Sequence, residues 1–150
     1  MSAASAPFVD DYLAYLLARA SALVSDEFHR EVAAAGLGVL EWRVLATLSD
    51  DRARTVNQLA DIVLAKQPTV TKVIDRLEAS GYVLRGESAT DRRQSLVSLT
   101  GAGIVHVKPL LDSARRHEAR VLARFGQTQS AQLKDALREL IHQMTDCRQP

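Results

Sequence analysis

Between Thr55 and Leu99 the hydrophobic period of the chain changes once, and this change restricts the fold more than any other feature of its 150 residues. Before Gly81 apolar residues recur at helical steps. After it, Tyr82-Val83-Leu84-Arg85 and Ser95-Leu96-Val97-Ser98-Leu99 read as short strands. The polar turn between them, Gly86 to Gln94, carries Arg92 and Arg93, which predicts a β-hairpin with a basic tip. Two helices precede it. Thr55-Val56-Asn57-Gln58 fits a capping box and opens a short helix with Leu59, Ile62 and Val63 inward. After the turn Leu64-Ala65, a second helix starts near Lys66-Gln67-Pro68. Proline is tolerated in a first turn because the N–H it lacks has no helical partner there. Val70, Val73, Ile74 and Leu77 form the inner face of this helix, and Gly81 closes it. At about 100° per residue, Thr69, Lys72 and Arg76 fall within about 60° of one another, away from the apolar stripe.

The flanking sequence reads as helix. The segment from Phe8 to about Ala34 has a wide apolar stripe, uninterrupted by Gly or Pro, which suggests burial on two sides, with another subunit covering one of them. A helix from about Leu40 to Ser49 turns Leu40, Val44, Leu45 and Leu48 inward. Thr100 caps a further helix that carries Pro109 and runs to about Phe125, stopped by Gly126. A last helix spans roughly Ser130 to Thr145. The expected class is mainly α with a small β-hairpin.

Composition narrows the function classes. The chain is 47% hydrophobic and 25% charged, as a globular domain is, and no apolar run approaches the length that spans a bilayer. The opening residues lack the basic and apolar regions of a signal peptide, so a cytoplasmic protein with no membrane association is expected. One cysteine, Cys147, excludes an intramolecular disulfide and any multi-cysteine metal site. The formal net charge of +1 is unevenly spread: residues 52–93 carry +3 and the remainder −2. A mildly basic middle suits a polyanion.

Two helices joined by a short turn, the second fronted by Thr, Lys and Arg, then a basic-tipped hairpin: this is the order of a winged helix-turn-helix, whose second helix enters the DNA major groove. The segments LEWRVLATLSDD, TVNQLAD, PTVTKVIDRLEASGYV and DRRQSLVSLTGAG together resemble the MarR family of transcriptional regulators. The resemblance is close from about Leu37 to Gly103 and loose at both ends. It implies a single domain over residues 1–150, with a DNA-binding lobe at 37–100 and interlocking dimerisation helices at 8–34 and 103–147. It further implies a homodimer, a palindromic double-stranded DNA operator, and relief of repression by a small ligand.

Gln67, Thr69, Thr71, Lys72 and Arg76 are the recognition-helix candidates, Arg76 for phosphate. Arg93 suits a narrow minor groove and Arg92 a phosphate. Asp91 resembles the family acid that orients Arg93. On the first helix Tyr12, Tyr15 and Arg19 share a face. Arg19 is a candidate anchor for the carboxylate of a small aromatic acid, with Tyr12, Tyr15 and Trp42 as walls and His29 and Arg43 nearby. The alternative is that Arg19 pairs with an acid across the dimer and the aromatics are plain core. Four histidines without metal-ligand spacing predict no metal, and no cofactor is expected. No nucleophile elbow, phosphate loop or paired catalytic acids appear, so the chain does not read as an enzyme. The reading is a repressor, with an activator of the same family, or a winged-helix module for protein partners, as the alternatives.

Overall fold

The computed structural model describes residues 7–91 and 93–146; Arg92 and Cys147 lie outside them. Six helices and three short strands follow in the order α1 (Leu13–Ala34), α2 (Val39–Leu48), β1 (Arg54–Thr55), α3 (Val56–Val63), α4 (Gln67–Ala79), β2 (Val83–Glu87), β3 (Ser95–Leu99), α5 (Gly101–Leu122) and α6 (Gln127–Asp146). Contacts divide the chain into two compact units, Met1–Ser113 and Ala114–Pro150.

The first unit holds the core. Val44, Leu45 and Leu48 of α2, Leu59 and Val63 of α3, Val70, Val73, Ile74 and Leu77 of α4, and Val97 of β3 are buried. Each such side chain contributes about 1.5–3 kcal/mol on burial. The helices α2, α3 and α4 pack on one another, and α4 also meets β2. The sheet is antiparallel in the order β1-β3-β2, with Arg54 and Arg85 both opposite Val97. The strand β1 is two residues long, too short to leave a period in the sequence, and it turns the expected hairpin into a three-stranded sheet.

Local chemistry sets the helix ends. The Thr55 hydroxyl accepts from the Gln58 N–H (3.2 Å), and the Gln58 side chain accepts from the Thr55 N–H (2.9 Å), the reciprocal cap expected of this tetrapeptide. At the end of α4, the Tyr82 N–H reaches the Leu77 carbonyl and the Gly81 N–H that of Glu78, with Gly81 at φ +75°. This paired closure needs a left-handed residue, which glycine supplies without a Cβ penalty. Leu64, between α3 and α4, takes the same conformation (φ 59°) without glycine's freedom, and its side chain is 85% exposed.

Three features differ from the sequence reading. The first helix begins at Leu13, not Phe8: residues Phe8–Asp10 form a separate 3-10 turn, and Asp11 and Tyr12 leave helical geometry before α1 starts. Ile62 is half exposed, because Leu59, Ala60 and Val63 take the inner face of the short α3. The last helix starts three residues early, at Gln127, directly after Gly126 at φ +76°.

Gly103 marks a close approach. A Cβ there would lie 2.0 Å from the Tyr82 carbonyl oxygen, so the first turn of α5 rests directly on the backbone where β2 begins. The Tyr82 oxygen also accepts from the Thr100 N–H (3.0 Å), and the Thr100 hydroxyl caps the Gly103 N–H (3.0 Å).

In the second unit, Ser130 is buried and its hydroxyl donates to the Leu122 carbonyl, while Lys134 pairs with Glu118 at 2.9 Å. Both units expose large apolar side chains. The first shows Leu13, Leu16, Leu17, Leu23 and Val24 on α1, and the second shows Phe125, Leu133, Ile141 and Met144.

Candidate nucleic-acid interface

Lys66 caps the start of α4 in an extended conformation, and Pro68 falls in the first turn. The apolar face that seats the helix leaves Gln67, Thr69 and Lys72 exposed. Thr71 is half-buried, and its hydroxyl donates to the Gln67 carbonyl (3.0 Å), so it is turned toward its own helix. Arg76 is exposed and pairs through Nε with the Glu41 carboxylate of α2 at 3.2 Å. Its helical neighbours Asp75 and Glu78 instead hold Arg85 of β2, Asp75 at 2.5 Å. Burial works against the Arg85 charge, but the two carboxylates outweigh it and raise its pKa above the ordinary value. The strand β2 is thereby tied to α4.

The wing tip is built from its own polar groups. The buried Ser88 hydroxyl accepts from the Thr90 and Asp91 N–H groups (both 3.3 Å), and the Asp91 carboxylate accepts from the Arg93 N–H (2.9 Å). The Gln94 N–H closes the turn on the Asp91 carbonyl (3.0 Å). Asp91 therefore fixes the backbone at Arg93, an Asx-type turn. The Arg93 side chain is exposed.

These parts meet in one cleft of about 210 Å³, lined by Thr55, Val56 and Asn57 at the start of α3, Gln67 at the start of α4, and Arg93, Gln94 and Ser95 of the wing. Asn57, Gln94 and Ser95 were not among the expected site residues. Nothing in their local sequence places them there, since the cleft joins segments nearly 40 residues apart. Beneath it, Arg54 of β1 grips Asp50 through two hydrogen bonds (2.7 and 2.5 Å) and also bonds the Thr47 carbonyl (2.8 Å). Its guanidinium holds the Asp50 carboxyl down at about 2.

The proposed ligand residues fall into separate groups. Tyr12, half exposed at the head of α1, stacks on Phe8 with centroids 5.0 Å apart. The exposed Arg19 donates to the Tyr15 hydroxyl (3.0 Å). His29 is half-buried. Trp42 meets Phe28 edge to face at 5.2 Å, and with Arg43 it lines a cavity of about 330 Å³ completed by Ala46, Thr47, Ile62, Val63 and Leu64. Tyr12, Tyr15, Arg19 and His29 do not line that cavity. Among the described residues no cluster of His, Cys, Asp and Glu is arranged to hold a metal ion, and no helix is long and apolar enough to cross a membrane.

Comparison with known proteins adds to this geometry. The sequence pattern of the MarR family matches residues 35–94. The HTH-type transcriptional repressor Rv2887 of Mycobacterium tuberculosis is 30% identical over 131 residues, covering 87% of this chain and 94% of that protein. The crystal structure of the MarR family regulator SPO1453 from Silicibacter pomeroyi DSS-3 superposes with a TM-score of 0.83 at 40% identity, over 93% of this chain and 99% of that one. NadR in complex with 4-hydroxyphenylacetate shares the fold, with a TM-score of 0.80 at 21% identity over 93% of this chain and 96% of that one. A matching family pattern over the helix-turn-helix and wing, and relatives alike over nearly their whole length, show that the chain belongs to the MarR family of DNA-binding transcriptional regulators and is not an enzyme.

Proposed function

We propose that this protein is a ligand-responsive repressor that works as a homodimer on a palindromic operator and leaves it when a small aromatic carboxylic acid binds. The observation that carries the DNA part is the cleft shared by Gln67 and Arg93. The head of the recognition helix and the wing face one space, as a duplex groove and its neighbouring phosphates require. In this reading Gln67, Thr69 and Lys72 face base edges, with Thr71 supporting the helix start. Arg76 and Arg92 take phosphates, Arg93 enters the minor groove, and Asp91 fixes its backbone. The N–H groups at the start of α3, with Asn57 beside them, add a further phosphate contact.

The exposed apolar side chains of α1, α5 and α6 support a dimer, because patches of this kind mark association surfaces. Two recognition helices must then stand about one duplex turn apart, roughly 34 Å. An effector that binds better when that spacing is wrong shifts the population away from DNA, and by linkage DNA weakens the effector equally.

The effector site is the cavity beside Trp42, with Arg43 within it as the carboxylate anchor; Arg19 does not line this cavity. The likeness to NadR, which binds 4-hydroxyphenylacetate, supports an aromatic acid. Trp42 is the one tryptophan of the chain, so its fluorescence reports on this cavity. Titration with 4-hydroxyphenylacetate and related acids is expected to change the Trp42 emission and, over the same concentration range, release a bound duplex. Release without any Trp42 response would place the effector elsewhere.

A further inference from the structure

Glu41 belongs to α2, outside the recognition helix and the wing, yet it is the residue that touches Arg76. Its carboxylate is only 17% exposed. One oxygen accepts from the Gly38 N–H at 2.8 Å, and the other lies 3.2 Å from Arg76 Nε. An acceptor held at one oxygen by the backbone has little freedom left, so it defines where the guanidinium can be. The Arg76 side chain is 65% exposed, and its two Nη groups have no hydrogen-bond partner among the described residues. Beside the pair lies a cavity of about 200 Å³ reaching Ser80, Tyr82 and His106, and Glu41 is the one acid among its lining residues. No second carboxylate there competes for Arg76.

We infer that Glu41 is a positioning residue for DNA binding: its carboxylate holds the Arg76 guanidinium by charge from the Nε side, so that both Nη groups are presented, already ordered, to one backbone phosphate. The inference rests on Arg76 meeting phosphate, as argued above. A long side chain free on a helix surface loses rotamer freedom when it docks, and fixing one such chain beforehand is worth about two- to tenfold in affinity. The Glu41 charge acts in the opposite direction, since it repels the same phosphate. That repulsion passes through the width of a guanidinium at a wet surface, where solvent and salt screen it. The sign of the Glu41→Ala effect decides which of the two dominates.

The two effects separate by substitution. The probe is a fluorescein-labelled duplex that the wild-type protein selects from a random-sequence pool, read by polarisation. Glu41→Ala, which removes both the acceptor and the charge, is expected to weaken binding about two- to tenfold. Glu41→Gln has one acceptor oxygen for two donors: bonded to the Gly38 N–H it keeps the helix cap but turns an amide NH2 toward Arg76, so it is expected to weaken binding as Glu41→Ala does. In an Arg76→Ala background, Glu41→Ala is expected to add nothing. Arg76→Lys keeps the charge on an exposed helix face but lacks the Nε that Glu41 holds, so it too should weaken binding, whether or not the Glu41 variants fold. Tighter binding by Glu41→Ala, an equal loss in the Arg76→Ala background, or unchanged affinity in Arg76→Lys overturns the inference. If Arg76→Ala alone costs nothing, the phosphate contact itself is wrong and the inference falls with it, a result distinct from a silent Glu41 beside a sensitive Arg76.

Discussion

Two residues carry more than their neighbours because of where the backbone puts them. Arg93 is presented by a turn whose bonds come from Ser88 and Asp91, so its exposed side chain faces the cleft from a fixed origin. Replacing it with alanine should cost about 1–3 kcal/mol of duplex affinity while leaving thermal stability unchanged, a pairing that polarisation titration and calorimetric melting check together. Leu64 is the opposite case. It adopts a left-handed backbone that penalises a Cβ, and its exposed side chain returns little in burial. Leu64→Gly should therefore stabilise the fold by up to about 1 kcal/mol, seen as a raised melting temperature, because relief of strain exceeds the extra chain entropy of glycine. The sequence showed Arg93 as a basic tip but hid the target of Asp91: a carboxylate two residues before an arginine reads equally as a partner for its side chain or its N–H, and only the turn geometry decides.

At the scale of elements, legibility followed the range of the forces involved. The capping box at Thr55 and the closure at Gly81 are settled within a few residues, and both were readable. The recognition helix was readable as well, because its buried face repeats over 13 residues. Strand β1 and the outward Ile62 were not, since each depends on partners far along the chain. The Trp42 cavity shows the same limit: the spacing of Tyr12, Tyr15 and Arg19 on α1 is local, but the walls supplied by Ile62 and Leu64 appear only when α3 packs on α2. The grip of Arg54 on Asp50, which joins the end of α2 to β1, spans only four residues, but the sequence does not show it because it depends on the turn between them. Its folded carboxyl titrates at about 2 instead of the ordinary 3.8. A depressed carboxyl contributes stability that is present above the unfolded pKa and is lost as pH falls through the folded one. The protein should thus lose this contribution between about pH 4 and pH 2. Asp50→Asn should flatten that part of the melting temperature profile and leave the rest in place; an identical acid limb in the variant would show that the pair does not contribute.

For the molecule as a whole, the apolar side chains left open on α1 argue that a single copy is incomplete. Leu23 is 68% exposed, so glutamate there meets water in an isolated chain and a hydrophobic seam in a dimer. Leu23→Glu should preserve helix content and shift sedimentation toward the monomer, with duplex binding falling steeply as cooperativity between half-sites disappears. A variant that still sediments as a dimer would move the seam elsewhere. The contact at Gly103 has a mechanical meaning within this body. Because α5 begins flush against the main chain at Tyr82, with no side chain to act as a cushion, the hairpin base and the opening turn of that helix move as one lever. A methyl group at position 103 would have to part the two.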